Sequence, residues 1–169
     1  MAVLQIRLFP DPILRKPCVP ILLSDLELKT LLKNLVETLY AQPGGIGIAA
    51  PQVGAAKRLI IIDVSSKDST QCQKIMINPK IRWQEGEVLS REGCMSIPDY
   101  TANIKRAEKV LIEWTDPHGK KRERTVFGIE AICLQHEIDH LNGKLFIDRV
   151  VSLKTDIFPR AKRRLRLRT

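Results

Sequence analysis

The chain of 169 residues is long enough for one compact domain, which we predict to extend over residues 1–169. Its composition, with 44% hydrophobic and 28% charged residues, is that of a globular protein, and no apolar run approaches the roughly 20 residues that span a bilayer, so a membrane-spanning helix is excluded. Much of the net charge of +9 lies in the basic tail 160–169, which is either solvated surface or a contact for a polyanion such as RNA.

The N-terminal segment also bears on the compartment of the protein. Arg7 and Pro10 stand where a signal peptide would have its apolar stretch, so we predict a cytoplasmic protein. In that compartment, cysteines without CxxC spacing are expected to be free thiols or metal ligands rather than disulfides. The four cysteines are Cys18, Cys72, Cys94 and Cys133.

The first helix is predicted after a proline-rich segment, residues 1–23, that should be extended or turn-like. Ser24 and Glu27 have the spacing of a capping box. Apolar residues then recur at helical spacing from Leu28 to Leu39, and Pro43 ends the helix.

Short strands are predicted to follow this helix. Gly47–Ala50 and Leu59–Val64 have the apolar character of buried strands. Asn78-Pro79 predicts that the strand at 75–81 is interrupted or lies at a sheet edge. Segment 85–90 leads into a glycine-flanked cysteine, and segments 110–114 and 122–127 flank a turn and predict a hairpin, with His118 exposed at its tip.

A second helix is predicted from Phe127 to Asn142, with Gly143 at its C′ position. A third, short basic helix is predicted after Pro159. Helices separated by runs of strands, without regular βαβ alternation, indicate an α+β fold.

The strongest functional signal is an HExxH motif within the second helix. His136 and His140 are four residues apart, so they share one helix face and can bind one metal ion. Glu137 lies beside the first ligand, where it can act as a general acid and base on water. Because the rest of this helix is largely apolar, the two imidazoles need polar partners, and a metal would supply one.

The third protein ligand is not fixed by the motif. Cys133 shares the helix face but lies a turn away from the gap between the histidines. Cys94 follows Gly93, which permits close approach, and a thiolate from a separate element completes a three-ligand site better. Cys94 is therefore the favoured ligand, with Cys133 as the alternative.

A glycine- and alanine-rich loop at 44–54 is the other unusual segment. It lacks the GxxxxGK[ST] pattern and follows no clear strand, which disfavours a nucleotide site. A tight structural turn remains an alternative to a binding loop. Gln52 supplies both a hydrogen-bond donor and an acceptor within it.

With these segments in view, the chain resembles the peptide deformylase family over residues 5–150. The family's GxGxAAxQ, EGCxS and QHExDH motifs correspond to 45–52, 92–96 and 135–140. The resemblance implies removal of the N-formyl group from the initiator methionine of nascent polypeptides. It also implies an α+β fold in which antiparallel or mixed sheets pack around a central metal-binding helix.

The family pattern implies a role for each matching residue. Cys94, His136 and His140 would hold one divalent ion, Fe(II) natively, with Zn, Ni or Co able to substitute. Glu137 would be the general acid and base, and Gln52 and the Met95 backbone N–H would stabilise the oxyanion. The residues that would bind the substrate are Ile46, Gly47, Gly93, Ile129 and Cys133.

The resemblance also suggests further contacts and partners. Glu92 and Arg106 could form an ion pair that supports the Cys94 loop, or could be unrelated surface charges. The partners expected are N-formylmethionyl peptides and ribosomal RNA at the tail, with no membrane, for a protein expected to be a monomer. The alternatives are an HExxH metallopeptidase and a ribosome-binding protein with a structural metal. The metallopeptidase would need a further His or Glu ligand after the motif, and the structural site would need a fourth ligand; the sequence offers neither convincingly.

Overall fold

The computed structural model describes residues 2–65 and 72–160 of the chain. Within those ranges the regular elements are two α-helices and eight strands. In chain order they are α1 (Leu28–Ala41), β1 (Gly47–Ala49), β2 (Leu59–Ile62), β3 (Lys74–Glu85), β4 (Val88–Cys94), β5 (Ile97–Arg106), β6 (Lys109–Thr115), β7 (Lys121–Phe127), α2 (Gly128–Leu141) and β8 (Ile157–Pro159).

The strands form two antiparallel sheets, one of five strands in the order β1-β2-β3-β6-β7 and one of three in the order β4-β5-β8. Few helices and antiparallel sheets confirm the predicted α+β class. Neither α1 nor α2 is long and apolar enough to cross a membrane, and no other such helix occurs in the described residues.

Strand β3 is interrupted, as predicted, but it is not at an edge. Its pairing with β6 shifts between Ile77 and Lys80, and Asn78 has a φ of 51°. Pro79, which has no N–H, falls inside this shift and so leaves no ladder bond unmade. The Asn78 side chain bonds the backbone of Ile21 in both directions, at 2.8 and 2.9 Å, and supports the distortion in the middle of the sheet.

Helix α1 forms where the apolar spacing predicted it, but the predicted capping box is wrong. The helix begins at Leu28, and Glu27 immediately before it receives no side-chain cap. The Asp25 carboxylate accepts the Glu27 N–H at 3.1 Å instead, within a turn in which the Asp25 N–H bonds to Leu22. This local turn places Ser24 too far before the helix to cap it.

The hairpin of β6 and β7 is confirmed, with register from Lys109↔Phe127 to Thr115↔Lys121. The Asp116 carboxylate accepts the backbone N–H groups of His118 and Lys120 and so closes the turn. His118 is exposed there.

Strands β5 and β8 were not predicted from the sequence. The buried positions of β5 include Ala102, Ile104 and Arg106, so a buried arginine interrupts its apolar alternation. Three residues are too few for β8 to show a period. The helix predicted after Pro159, and all of the basic tail except Arg160, lie outside the described residues.

Helix α2 carries the HExxH motif into the interior. Every residue from Cys133 to Leu141 is buried, a run that covers all sides of a helix with 3.6 residues per turn. One side packs on β1, β2 and β7, while its histidines face Cys94 at the end of β4. Gly143 follows the C-cap Asn142 with a φ of 70°, as predicted for a C′ glycine.

Candidate metal centre

Helix α2 brings three polar side chains to one buried place. His136, Glu137 and His140 are 9%, 4% and 1% exposed. The two imidazole rings lie 5.1 Å apart, centroid to centroid, as expected for residues one turn apart. The motif therefore brings both rings and the carboxylate to the same buried region of the protein.

The third donor comes from the end of strand β4. The pairing of β4 with β5 shifts register between Gly93 and Cys94, and an irregularity of this kind re-aims the side chain beside it. The Sγ atom of Cys94 lies 3.3 Å from Nε2 of His140. One donor atom each from Cys94, His136 and His140 lie within 4.8 Å of one another, and Cys133 is not part of this group.

This donor set fits a divalent transition-metal ion. Metal–sulfur and metal–nitrogen bonds of about 2.3 and 2.0 Å place such donors roughly 3–4 Å apart, and a site with three protein ligands keeps a position open for water or substrate. Glu137 Oε2 and His140 Nδ1 are buried side-chain atoms without a hydrogen-bond partner among the described residues. A buried carboxylate oxygen without a partner is costly, so an additional polar group belongs in this space.

A buried ion pair orients the first imidazole. Nδ1 of His136 lies 2.8 Å from Oε2 of Glu92, which leaves Nε2 as the ring nitrogen available to a metal. Arg106 donates to both carboxylate oxygens of Glu92, at 2.7 and 2.9 Å. The two residues are thus a buried pair behind Cys94 and His136, not unrelated surface charges.

Charges and hydrogen bonds within the site favour the ionised forms of Cys94 and Glu92. Burial alone would raise the pKa of the Cys94 thiol, but the charge of His140 and hydrogen bonds from both histidines hold its pKa well below its ordinary value. Burial also opposes ionisation of Glu92, yet hydrogen bonds with Arg106 and His136 lower its pKa to about 2. A thiolate is the metal-binding form of cysteine, so these surroundings favour ligation.

Glu137 lies deep in the cavity next to β1. Burial, opposed by the two histidines, raises the pKa of its carboxyl to about 7. A Cβ atom on Gly47 would lie 2.7 Å from Oε1 of Glu137 and 2.6 Å from Sγ of Cys133. Only glycine at this position leaves room for the carboxylate, which explains the small residue in the loop.

The glycine-rich loop aims an amide at the same place. Gln52 is 1% exposed, and its Oε1 accepts the Ala49 N–H at 2.9 Å. Its Nε2 donates to Sγ of Cys94 at 3.5 Å and to Oγ of Ser96 at 3.3 Å. Met95 follows Cys94 directly and is partly buried against the core beneath β1.

Gln52, Cys94, His136 and Glu137 line one cavity of about 250 Å³. The five residues predicted to bind substrate are among its walls, together with Ile132 and Met95. Cys133 forms part of the wall, where its Sγ donates to the carbonyl of Ile46 at 3.5 Å and burial raises the pKa of the thiol well above its ordinary value. The lining also includes Arg91 and Arg160, which no sequence motif indicated as cavity residues.

An extended ion-pair network behind the site was missed as well. Arg106 also donates to Asp139 at 2.5 Å, and Asp139 in turn pairs with Arg149. The signal was present, because Asp139 is a charged residue inside a helix that is otherwise buried, and such a charge needs a partner. Its partners come from distant segments, which spacing along the sequence does not reveal.

Comparison with known proteins gives consistent matches. The family model described as polypeptide deformylase matches residues 3–156. A peptide deformylase from Thermodesulfovibrio yellowstonii is 45% identical over 158 residues, covering 94% of this chain and 95% of the relative. The crystal structure of a peptide deformylase from Legionella pneumophila is 42% identical with a TM-score of 0.83, covering 90% of this chain and 89% of that one. The Met-Ala-Ser-bound crystal structure of a class I type b peptide deformylase from Acinetobacter baumannii is 32% identical with a TM-score of 0.83, covering 88% of this chain and 99% of that one.

Proposed function

Since the chain belongs to the peptide deformylase family and is therefore an enzyme that acts on formylated peptides, we propose that it hydrolyses the N-formyl group of the initiator methionine with one divalent ion held by Cys94, His136 and His140. Residues 1–169 form its single catalytic domain in this proposal. The observation that carries it is the clustering of a thiol and two imidazoles, within 4.8 Å of one another, beside a buried carboxylate.

The donor set narrows the choice of ion. One thiolate and two imidazoles suit soft-tolerant divalent ions, and hard oxygen-seeking ions such as Mg²⁺ are disfavoured. Fe(II) is the native ion expected from the family, with Zn, Ni and Co as substitutes. The bound ion would act as a Lewis acid that lowers the pKa of water and polarises the formyl oxygen.

Glu137 is the proposed general acid and base. It accepts a proton from the attacking water, whose oxygen then adds to the formyl carbon. When the C–N bond breaks, Glu137 returns the proton to the methionine nitrogen, and formate leaves. The buried position of the carboxylate, whose Oε2 has no hydrogen-bond partner among the described residues, supports this role.

Gln52 and Met95 are proposed to stabilise the charge that develops on the formyl oxygen. The Gln52 side-chain N–H and the Met95 backbone N–H are donors beside Cys94, where the reacting group must lie. Donors fixed before the reaction cost no reorganisation in the transition state. The Ala49 bond to Oε1 holds the Gln52 amide in this orientation.

Two open strand edges are proposed to bind the peptide backbone. Among the described residues, β1 pairs only with β2 and β4 pairs only with β5, and both strands line the cavity. An extended peptide can pair with such edges through its backbone, with Gly47 and Gly93 permitting its close approach. The methionine side chain would then enter the pocket of Ile46, Ile129 and Cys133.

Formate release is the direct test of this function. Protein purified anaerobically and loaded with Fe(II) should release one formate from each formyl-Met-Ala-Ser and leave the internal peptide bonds intact. Met-Ala-Ser without the formyl group is the matched control. Cleavage of an internal bond without formate would contradict the proposal and point to a metallopeptidase.

The cellular setting is part of the same proposal. The basic tail contains six Arg and Lys residues among residues 160–169, a density that suits contact with ribosomal RNA. We propose a cytoplasmic monomer whose substrates are nascent chains.

A further inference from the structure

The mouth of the cavity carries an arginine from a different part of the chain. Arg160 directly follows β8, and its backbone N–H donates to the carbonyl of Asp99 at 2.7 Å, which anchors it beside β5. Its side chain reaches β4, where Nη2 lies 2.7 Å from the position that a Cβ on Gly93 would take. The guanidinium therefore lies against the strand that ends in Cys94.

A second guanidinium lies nearby but is already engaged. Arg91 stacks on the Phe158 ring, 3.5 Å from its centroid, and its Nε donates to Oγ1 of Thr101 at 2.8 Å. Within residues 2–65 and 72–160, neither this guanidinium nor that of Arg160 forms an ion pair, whereas several other arginines do. Arg160 also makes no side-chain hydrogen bond with the described residues.

The two carboxylates that line the cavity do not neutralise its mouth. Glu92 is next to Arg91 in sequence, but it is 6% exposed and its oxygens are occupied by Arg106 and His136. Glu137 is 4% exposed at the depth of the cavity. The residues that line the outer part of the cavity therefore carry positive charge. Of the two arginines there, only Arg160 has a guanidinium without a partner in the described part of the chain.

We propose that Arg160 determines specificity by binding a carboxylate of the substrate just beyond the methionine; this rests on the proposed function. A peptide that lies along β4 with its formyl group beside Cys94 passes Gly93 within one or two residues, since a strand advances about 3.3 Å per residue. The carboxylate is the C-terminus of a short peptide or an Asp or Glu side chain in a longer one. A guanidinium binds either in the same forked geometry.

The expected effect is moderate because Arg160 is exposed. An exposed pair of opposite charges is worth a factor of about 2–5 in affinity at low ionic strength. The preference should appear in KM, because the contact is the same in the bound substrate and in the transition state. It should shrink in 0.5 M NaCl, where the Debye length is roughly 4 Å.

The test compares pairs of peptides that differ only in charge. The kcat/KM ratio is measured for formyl-Met-Ala-Ser against its C-terminal amide, and for formyl-Met-Ala-Asp-amide against formyl-Met-Ala-Asn-amide, in the full chain and in Arg160→Gln. The wild-type chain should prefer the acid of at least one pair by about 2–5-fold, and the two pairs separate a terminal from a side-chain carboxylate. Arg160→Gln should bring that ratio near one, and Arg160→Lys, which keeps the charge but not the fork, should retain only part of it.

Arg82→Gln is the matched control, because Arg82 is an exposed arginine that pairs with Glu113 away from the cavity. The proposal is overturned if the wild-type chain shows no preference in either pair, if Arg160→Gln keeps the ratio, or if Arg82→Gln removes it equally. Calorimetric binding of Met-Ala-Ser and its amide gives the same comparison without turnover. Absence of formate release would count against the proposed function, while the binding ratio still decides the role of Arg160.

Discussion

Cys94, at the end of β4, and Cys133, on α2, are both buried, yet their surroundings favour opposite charge states. The histidines around Cys94 stabilise a thiolate and lower its pKa. Cys133 is desolvated, and Glu137 nearby adds negative charge, so the pKa of its thiol rises. Two residues of one type therefore have different chemistry, which follows from the groups that each one faces.

Substitution of these two cysteines should distinguish the metal ligand from the residue that only lines the cavity. Cys94→Ser should weaken metal binding by more than about 100-fold, because even changes outside the ligand shell cost about 10–100-fold. Cys133→Ser should change metal affinity far less. Competition with a chromophoric chelator measures both constants, and the opposite order would assign the ligand to Cys133.

Glu137→Gln should leave the metal in place and remove turnover. The amide keeps the size of the side chain but cannot carry the proton, and general acid–base groups contribute about 10²–10⁴-fold. We expect kcat for formate release to fall by that factor, with metal content unchanged by elemental analysis. Loss of the metal in this variant would mean that Glu137 is a ligand.

At the scale of single residues, the sequence indicated the site residues that belong to a motif and did not indicate those that lie outside any motif. His136, Glu137 and His140 could be grouped because a helix places residues four apart on one face. Arg106, Asp139 and Arg149 come together only through tertiary folding. Arg160 likewise reaches the cavity only because β8 pairs with β5, a contact that no local pattern indicates.

At the scale of elements, the end of α2 depends on a single glycine. Gly143 has a φ of 70°, and a Cβ there would lie 2.4 Å from the backbone oxygen of Arg15. The backbone oxygen belongs to a short 3-10 helix, Pro12–Arg15, and cannot move as a flexible side chain would. The end of the helix that holds both histidines is thus packed directly against the N-terminal segment.

Gly143→Ala should therefore destabilise the fold by more than about 1 kcal/mol, since both the backbone angle and the contact are unfavourable. Gly128→Ala is the control, because Gly128 also has a positive φ, of 54°, but nothing lies within 4 Å of a Cβ there. Denaturant unfolding measures both free energies. Equal losses in the two variants would show that the contact with Arg15 contributes nothing.

The elements that the sequence predicted well are those with a strong local pattern of residues. Helix α2 and the β6–β7 hairpin have strong local signals, and they form within one or two residues of the predicted bounds. Strand β5 was missed because its buried face includes Arg106, whose charge is compensated from other segments. Of the two alternatives predicted for β3, the interruption is present and the edge position is not, because the bulge around Pro79 allows a proline in mid-sheet.

At the scale of the whole molecule, the basic tail and the catalytic site are proposed to act independently of each other. Removal of residues 161–169 takes away five of the basic residues and keeps Arg160. Turnover of short formylated peptides should stay within about twofold, while binding to ribosomes in co-sedimentation should weaken and lose its salt dependence. The control is the double variant Lys29→Gln and Lys33→Gln, which removes exposed charge from α1. Unchanged ribosome binding after truncation would mean that the tail is only solvated surface.

If the strand edges of β1 and β4, open among the described residues, bind the peptide as proposed, they also limit when the protein can act. In the proposed binding mode, one extended chain pairs with the edges of β1 and β4 and enters with its first residue. A polypeptide whose first residues have already been built into a sheet or helix cannot be threaded there without unfolding. Acting as proposed, the enzyme competes with the folding of each substrate, and early access to the emerging N-terminus decides whether the formyl group is removed at all.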